Sequence, residues 1–306
     1  MNTLLLREVS PRDGLQAESV VLDVDSRVQF CLDLLAAGCH FLEVGAFVRS
    51  DKVPSMAGSA EVCAQVHQAA AADVTVSALV PNGRGLVEAR AAGLKHVALV
   101  AALSDPLARA NLGRDAETSL RDALQLAAEC LESRIACRLY LSASFDCPFL
   151  GEVPSSHLEQ ALRRAALYPG LEVVISDTTG RASPLAVRRR LKMALDLLPP
   201  ERLAGHFHDT WGMGLANAWE AMQLGIERLD ASAGGLGGCP YAPGAGGNLA
   251  TEDLLSLARA LHWSHDIIPD QLAAAATRLC QQLGHSTRSR SGAAWLAPLH
   301  SHGEGH

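Results

Sequence analysis

His206 and His208 carry the most chemical information in this chain. They stand two residues apart on and just beyond an apolar run, Leu203–Phe207, that reads as a β-strand, so both imidazoles point to one face. Two same-face imidazoles are half of a divalent-cation site, although a pair of structural histidines with their hydrogen bonds satisfied would look the same. Asp13 follows the first predicted strand and Asn248 follows the last. If those strands are neighbours of the histidine strand, the four residues form a mixed nitrogen–oxygen set. Such a set suits Mg2+ or Mn2+, with Co2+ and Zn2+ also compatible. Arg12 places a fixed cationic fork beside Asp13. Glu43 ends an otherwise apolar strand, Phe41-Leu42-Glu43-Val44, where a carboxylate without a partner is costly to bury. That cost points to a role at a site rather than in packing.

Gly234–Asp253, GGLGGCPYAPGAGGNLATED, holds seven glycines and two prolines around Cys239 and Asn248. So many glycines exclude a helix or strand interior. Leu236, Tyr241 and Leu249 punctuate the stretch and argue against disorder. It reads as an active-site loop presenting Cys239 and Asn248, with a loop packed on itself as the competing reading. Thr251-Glu252-Asp253 before an apolar run reads as a helix start.

The elements that must position these groups alternate along the chain. Apolar runs read as strands at Thr3–Glu8, Cys39–Val44, Val74–Leu79, His96–Ala101, Ile135–Ser142, Leu171–Ser176, Leu203–Phe207 and Glu227–Ala231. Helical periodicity follows each, for example at Ser26–Ala37, Met56–Ala72, Thr118–Ser133 and Ser155–Leu167, and a further helix is expected at about Pro269–Leu283. Eight strand–helix units predict an α/β fold, a (β/α)8 TIM barrel with an additional C-terminal helix, over residues 1–285. A doubly wound open sheet is the runner-up, and no GxGxxG follows the first strand. Residues 286–306 are small, polar and His-rich, and are expected to be a disordered tail.

In a barrel the reacting groups sit at the C-terminal ends of the strands. The polar residues there are Arg12, Asp13, Gln16, Glu43, Ser104, Asn111, Asp146, Cys147, Asp177, Thr178, His206, His208, Asp209, Cys239 and Asn248. Arg12, Gln16, Asn111, Asp177 and Thr178 are the candidates to contact a substrate, although Asp177-Thr178 would also start a turn. A net charge of −7 with no basic block argues against nucleic-acid binding. No stretch has the roughly 20 apolar residues of a membrane span, and MNTLLLREVSPRDG has no basic leader region. The expectation is a cytoplasmic enzyme. The eight cysteines form no CxxC pair or zinc spacing.

RDGLQ (Arg12–Gln16), Phe41-Leu42-Glu43, HFHDTWG (His206–Gly212) and GLGGCPYAPGAGGNLATEDL (Gly235–Leu254) together resemble the 3-hydroxy-3-methylglutaryl-CoA lyase family. That family lies within a superfamily of metal-dependent lyase and synthase barrels. The likeness spans roughly Leu6–Leu283. The RDG and HxHD parts are shared across the superfamily, whereas the cysteine nine residues before the asparagine is specific to the lyase. The resemblance implies an acyl-CoA substrate, a homo-oligomer, and a divalent metal held by Asp13, His206, His208 and Asn248. It implies a retro-Claisen cleavage to acetyl-CoA and acetoacetate, with Asp13 or Glu43 as base and His206 relaying the proton. Arg12 would stabilise the enolate and Cys239 would return a proton to carbon.

The chain departs from the family pattern at Ser10, where glycine is usual, at Ser19, where a basic residue is common, and after Asn111. It departs again at Ser142-Ala143-Ser144-Phe145-Asp146-Cys147-Pro148. The departures leave the metal and cleavage residues intact and place a longer 3-hydroxy-3-alkylglutaryl-CoA within reach. A bond-forming acyltransferase of the isopropylmalate or citramalate synthase type is the alternative. It predicts an accessory domain and no thiol acid in the last loop.

Overall fold

The computed structural model describes residues 2–238 and 246–297. Strands β1 (Leu5–Glu8), β2 (Phe41–Ala46), β3 (Thr75–Leu79), β4 (His96–Ala102), β5 (Ala136–Ser142), β6 (Leu171–Asp177), β7 (Leu203–Phe207) and β8 (Arg228–Ala231) run parallel in chain order. β8 pairs along the whole of β1, Leu5 with Arg228 through Glu8 with Ala231, and closes the expected barrel. The crossover helices are α1 (Val24–Ala36), α2 (Ser59–Ala69), α3 (Gly83–Ala91), α4 (Asp105–Leu112), α5 (Ala116–Glu132), α6 (Ser155–Ala165), α7 (Pro184–Leu195), α8 (Gly214–Gln223) and α9 (Thr251–Ala260), followed by α10 (Pro269–Gln282) and α11 (Arg290–Trp295). No helix among the described residues is long and apolar enough to cross a membrane.

The two faces of the barrel strands differ in chemistry. Leu42, Val44, Val97, Leu99, Leu139, Leu141, Val173 and Ile175 are buried and belong to the main core shared with the helices. The alternate positions face the interior, where the apolar content shrinks to Ala98, Tyr140, Val174 and Ala204 with Leu79 and Val100 beside them. The rest of the interior is polar. Arg138 on β5 reaches Asp230 on β8 at 2.6 Å, across the barrel from one strand to a non-neighbour.

Several local expectations change. The SPRDG segment after β1 is a single π-helical turn in which the Val9 carbonyl accepts from the amides of Arg12, Asp13 and Gly14. The region after β4, with no helix expected before Thr118, holds one. Asp105-Pro106 starts α4, and Gly113 ends it in the left-handed conformation at φ 68°, as proline in the first turn and glycine past the end favour. Asn111 therefore sits on a helix. The helix expected from Met56 starts at Ser59, because Gly58 at φ 70° separates it from a short turn at Pro54–Met56.

Residues 286–297, assigned to a disordered tail by composition, are part of the fold. Ser289 caps α11, and Asp253 accepts from the Ser289 hydroxyl at 3.0 Å and the Ser291 amide at 2.7 Å. These polar side chains find partners on α9 that composition does not reveal. His300, His302 and His306 lie outside the described residues.

Candidate metal and substrate site

Three elements converge at the C-terminal end of the barrel. The π-helical turn after β1 delivers Arg12 and Asp13. β7 and the residue just past it deliver His206 and His208. The returning leg of the glycine-rich stretch delivers Asn248, which bridges to His208 through its backbone. The Nε2 atoms of His206 and His208 lie 3.1 Å apart, and Asp13 Oδ2 is 3.9 and 3.7 Å from them. These three residues form one group able to hold a metal ion. Asn248 joins them by donating from Nδ2 to Asp13 Oδ2 at 2.9 Å.

The outer partners favour ligation. His206 Nδ1 faces Asp230 Oδ2 at 3.1 Å. A proton on Nδ1 leaves the Nε2 lone pair directed at the group, as carboxylate-oriented metal ligands do. Asn248 Oδ1 and His208 Nδ1 are buried without a hydrogen-bond partner among the described residues. A buried unpaired acceptor is costly. A cation that draws the Asn248 carbonyl oxygen into its shell would relieve that cost, so the donor set fits a hard or borderline divalent ion. Burial pushes the Asp13 carboxyl up, but Arg12, His208 and His206 together override it and hold it well below the usual carboxylate range.

Arg12 is fixed by two carboxylates. Its Nε donates to Glu43 and its Nη1 to Asp13, while Nη2 has no hydrogen-bond partner among the described residues. Burial lowers its basicity, yet Asp13 and Glu43 more than compensate and raise it. Glu43 is fully buried and lies one layer back, bonded to Arg12 and to the Tyr140 hydroxyl at 3.1 Å. It therefore holds Arg12 instead of facing the cavity.

A cavity of about 950 Å3 lies over the group, within the size range of small-molecule sites. Arg12, Asp13, Gln16, Asn111, Thr178, His206, His208 and Gly238 all line it. Its outer rim carries Arg49, Lys52, Arg84 and Arg114. Asp177 does not join the lining. It is fully buried, and its carboxylate accepts from the amides of Gly180, Arg181 and Ala182 at 3.1–3.3 Å. It builds the turn that presents Thr178, because unpaired amides in a buried turn need an acceptor. Cys239 lies outside the described residues; Gly238 before it lines the cavity. Among the remaining strand-end residues, the Ser104 hydroxyl donates to Cys147 Sγ at 3.0 Å, Asp146 lies 3.6 Å from Arg181, and Asp209 caps α8 through the Gly214 amide at 2.6 Å.

Sequence reasoning missed Arg138, Tyr140 and Asp230, which lie beneath the site. The Tyr140 hydroxyl contacts Asp230 at 2.9 Å as well as Glu43, and its ring meets His206 edge-on at 5.6 Å between centroids. The signal was present in β5, Arg138-Leu139-Tyr140-Leu141-Ser142, whose strict alternation puts three polar groups on one face.

The HMGL-like family model matches residues 3–278. The chain belongs to the HMGL-like family. It is 39% identical over 297 residues to hydroxymethylglutaryl-CoA lyase of Pseudomonas mevalonii, covering 97% of this chain and 98% of that one. It is also 39% identical to the 3-hydroxy-3-isohexenylglutaryl-CoA/hydroxy-methylglutaryl-CoA lyase of Pseudomonas aeruginosa, over 95% of this chain and 97% of the relative. The solved structure of an HMG-CoA lyase from Acinetobacter baumannii in complex with coenzyme A and 3-methylmalate superposes with a TM-score of 0.90 at 32% identity, covering 97% of both chains. In this HMGL-like chain Gly238 and Asn248, from the two described legs of the glycine-rich stretch, meet the Asp/His/His group at one barrel mouth.

Proposed function

We propose that this HMGL-like chain is a carbon–carbon lyase that cleaves 3-hydroxy-3-methylglutaryl-CoA, or a 3-hydroxy-3-alkylglutaryl-CoA relative, to acetyl-CoA and acetoacetate or the corresponding 3-oxo acid. The observation that carries this reading is the convergence of Asp13, His206, His208 and Asn248 beside Arg12 under the cavity. The full-length likeness to named lyases supports it.

Asp13, His206, His208 and Asn248 would hold a divalent cation, Mg2+ or Mn2+ by their mixed chemistry. When bound, such an ion supplies Lewis acidity that lowers the pKa of an alcohol. The chain's own residues account for the rest. Asp13 is the proton acceptor for the 3-hydroxyl, and Asp230 holds His206 through Nδ1 so that its Nε2 faces the cation site. As the C2–C3 bond breaks, its electron pair passes to the thioester enolate while C3 becomes a ketone. Arg12 Nη2 is the donor available to the enolate oxygen, held by Glu43 and Asp13. The Cys239 thiol then returns a proton to the enolate carbon. Gln16, Asn111 and Thr178 contact the acyl portion, and Lys52, with Arg49, Arg84 and Arg114 beside their carboxylate partners, can meet the phosphates of coenzyme A.

The test is an assay of several 3-hydroxy-3-alkylglutaryl-CoA thioesters with Mg2+ or Mn2+, following acetyl-CoA release, with Cys239→Ala as control. Cleavage that is cation-dependent and largely lost in Cys239→Ala is the expected result. No cleavage of any thioester, or activity indifferent to chelation, would overturn the reading.

A further inference from the structure

Asn248 differs from its three fellow candidate ligands in what holds it. Asp13, His206 and His208 stand on β1, on β7 or within a few residues of them. Asn248 is carried by a glycine leg that has little side chain to pack. The opposing leg is conformationally expensive: Gly234, Gly235 and Gly237 take φ values of 71°, 66° and 112°, a region that only glycine enters cheaply and at a large cost in chain entropy. The two legs approach so closely that a Cβ on Gly247 would sit 1.8 Å from the Gly235 carbonyl oxygen, and one on Gly237 would sit 2.4 Å from the Asn248 amide nitrogen.

The carbonyls of this leg are divided between two partners. The Leu236 carbonyl accepts from Asn248 Nδ2 at 3.0 Å and from its backbone amide at 3.4 Å. The carbonyls on either side, Gly235 and Gly237, accept from one guanidinium nitrogen, Arg288 Nη1, at 3.4 and 2.8 Å. The Arg288 backbone amide donates to Gly234 at 2.9 Å, and the Thr287 hydroxyl reaches the same carbonyl at 3.3 Å. Asp253, five residues past Asn248, ties down the next turn through Ser289 and Ser291. The segment Thr287–Ser291 thus joins both ends of the glycine-rich stretch.

We infer that Arg288 is a positioning residue for the cation site: by holding the Gly235 and Gly237 carbonyls it turns the Leu236 carbonyl toward Asn248 and sets that side chain for ligation. This rests on the reading that Asn248 is a cation ligand. Among the described residues no hydrogen bond joins Arg288 to the other three ligands or to the cavity lining, so its removal should act on affinity through Asn248.

Mn2+ titration of the chelator-stripped, full-length protein, followed by electron paramagnetic resonance, tests the inference. Arg288→Ala should weaken Mn2+ binding about tenfold, the low end of effects for outer partners of a ligand. Arg288→Lys, which keeps the charge on a single ammonium, should fall between Arg288→Ala and the parent. Arg278→Ala is the control for general loosening of the C-terminal helices, since Arg278 ties α10 to Asp33 at 2.7 Å without meeting the glycine leg. It should bind Mn2+ like the parent. Unchanged affinity in Arg288→Ala, or an equal loss in Arg278→Ala, would overturn the inference. His208→Ala separates the two levels: if it too binds Mn2+ normally, the ligand reading itself fails, whereas loss in His208→Ala with none in Arg288→Ala removes only the role of Arg288.

Discussion

The barrel interior holds two polar layers that use similar residues for different ends. At the floor, Arg138 lies 3.0 Å from Glu172 and 2.6 Å from Asp230, while Arg7 and Arg228 approach Glu172 at 3.4 and 3.3 Å. The Nε contacts of Arg138 and Arg228 to Glu172 are ion pairs that fall short of directed hydrogen bonds. At the mouth, Asp13 and Arg12 meet His206, His208 and Asn248. Each floor carboxylate has a guanidinium counterion. Even the floor histidine has a partner, since His96 Nδ1 meets Ser77 at 2.9 Å, and burial drives its pKa down to about 3, so it stays neutral. The mouth instead gathers two imidazole nitrogens and a carboxylate on one point, with ligand-capable atoms left over. Guanidinium groups fill the floor and leave no room for a cation, whereas the mouth turns lone-pair donors toward one point that a cation can take. Asp230 belongs to both layers, bonded to Arg138 below and His206 above.

The sharpest way to break this comparison is at the floor. Arg138→Met leaves Asp230 and Glu172 buried without their main counterion and should cost about 3–5 kcal/mol of stability. Chemical denaturation would show it, with Mn2+ affinity largely kept in the protein that remains folded. Floor loss without a stability change would mean the layer is not structural. His208→Ala is the converse: cation affinity should fall by more than the roughly 100-fold ceiling of outer partners, with the melting temperature of the cation-free protein nearly unchanged. An unaltered Mn2+ isotherm would remove His208 from the ligand set. Asp230→Asn probes the shared residue and should lower cation affinity and turnover about 10–100-fold by releasing His206 from its orientation. A variant with intact turnover would show that the two layers are independent.

The smallest effect concerns Glu252, on α9 beneath the glycine leg, where both carboxylate oxygens accept from the Gly234 amide at 3.0 Å. Burial raises its pKa to about 8, and the backbone amides that favour the charged form do not offset it. In the unfolded chain it ionises near 4.5, so between about 4.5 and 8 the folded state binds the extra proton. Stability should therefore fall as pH rises through that window and level off above it. Glu252→Gln keeps an acceptor for Gly234 and should flatten that slope in melting curves at pH 5, 6, 7 and 8. An unchanged slope would place the titration elsewhere.

Much of the site could be read before any fold was known. His206 and His208 share a face because a strand has a period of two, and Asp13 and Asn248 follow strands that a closed barrel makes neighbours. Asp177 misled because a carboxylate at a strand end serves equally to face a substrate or to satisfy a turn, and only the positions of the Gly180–Ala182 amides decide between them. Glu43 was placed at the mouth on the cost of burying it; in the fold that cost is met by Arg12 and Tyr140.

Local spacing by itself determined the alternation of strands and helices, the shared face of the two histidines, and the glycine-rich stretch that bears Cys239 and Asn248. These depend on periodicity and backbone freedom, which a few neighbouring residues settle. Tertiary structure alone decided which strand face became the interior, how Arg138 found Asp230 across 92 residues of chain, and how Arg288 came to grip carbonyls more than 50 residues before it. Those contacts exist only once barrel closure brings distant segments together, and no local pattern encodes which charge will meet which.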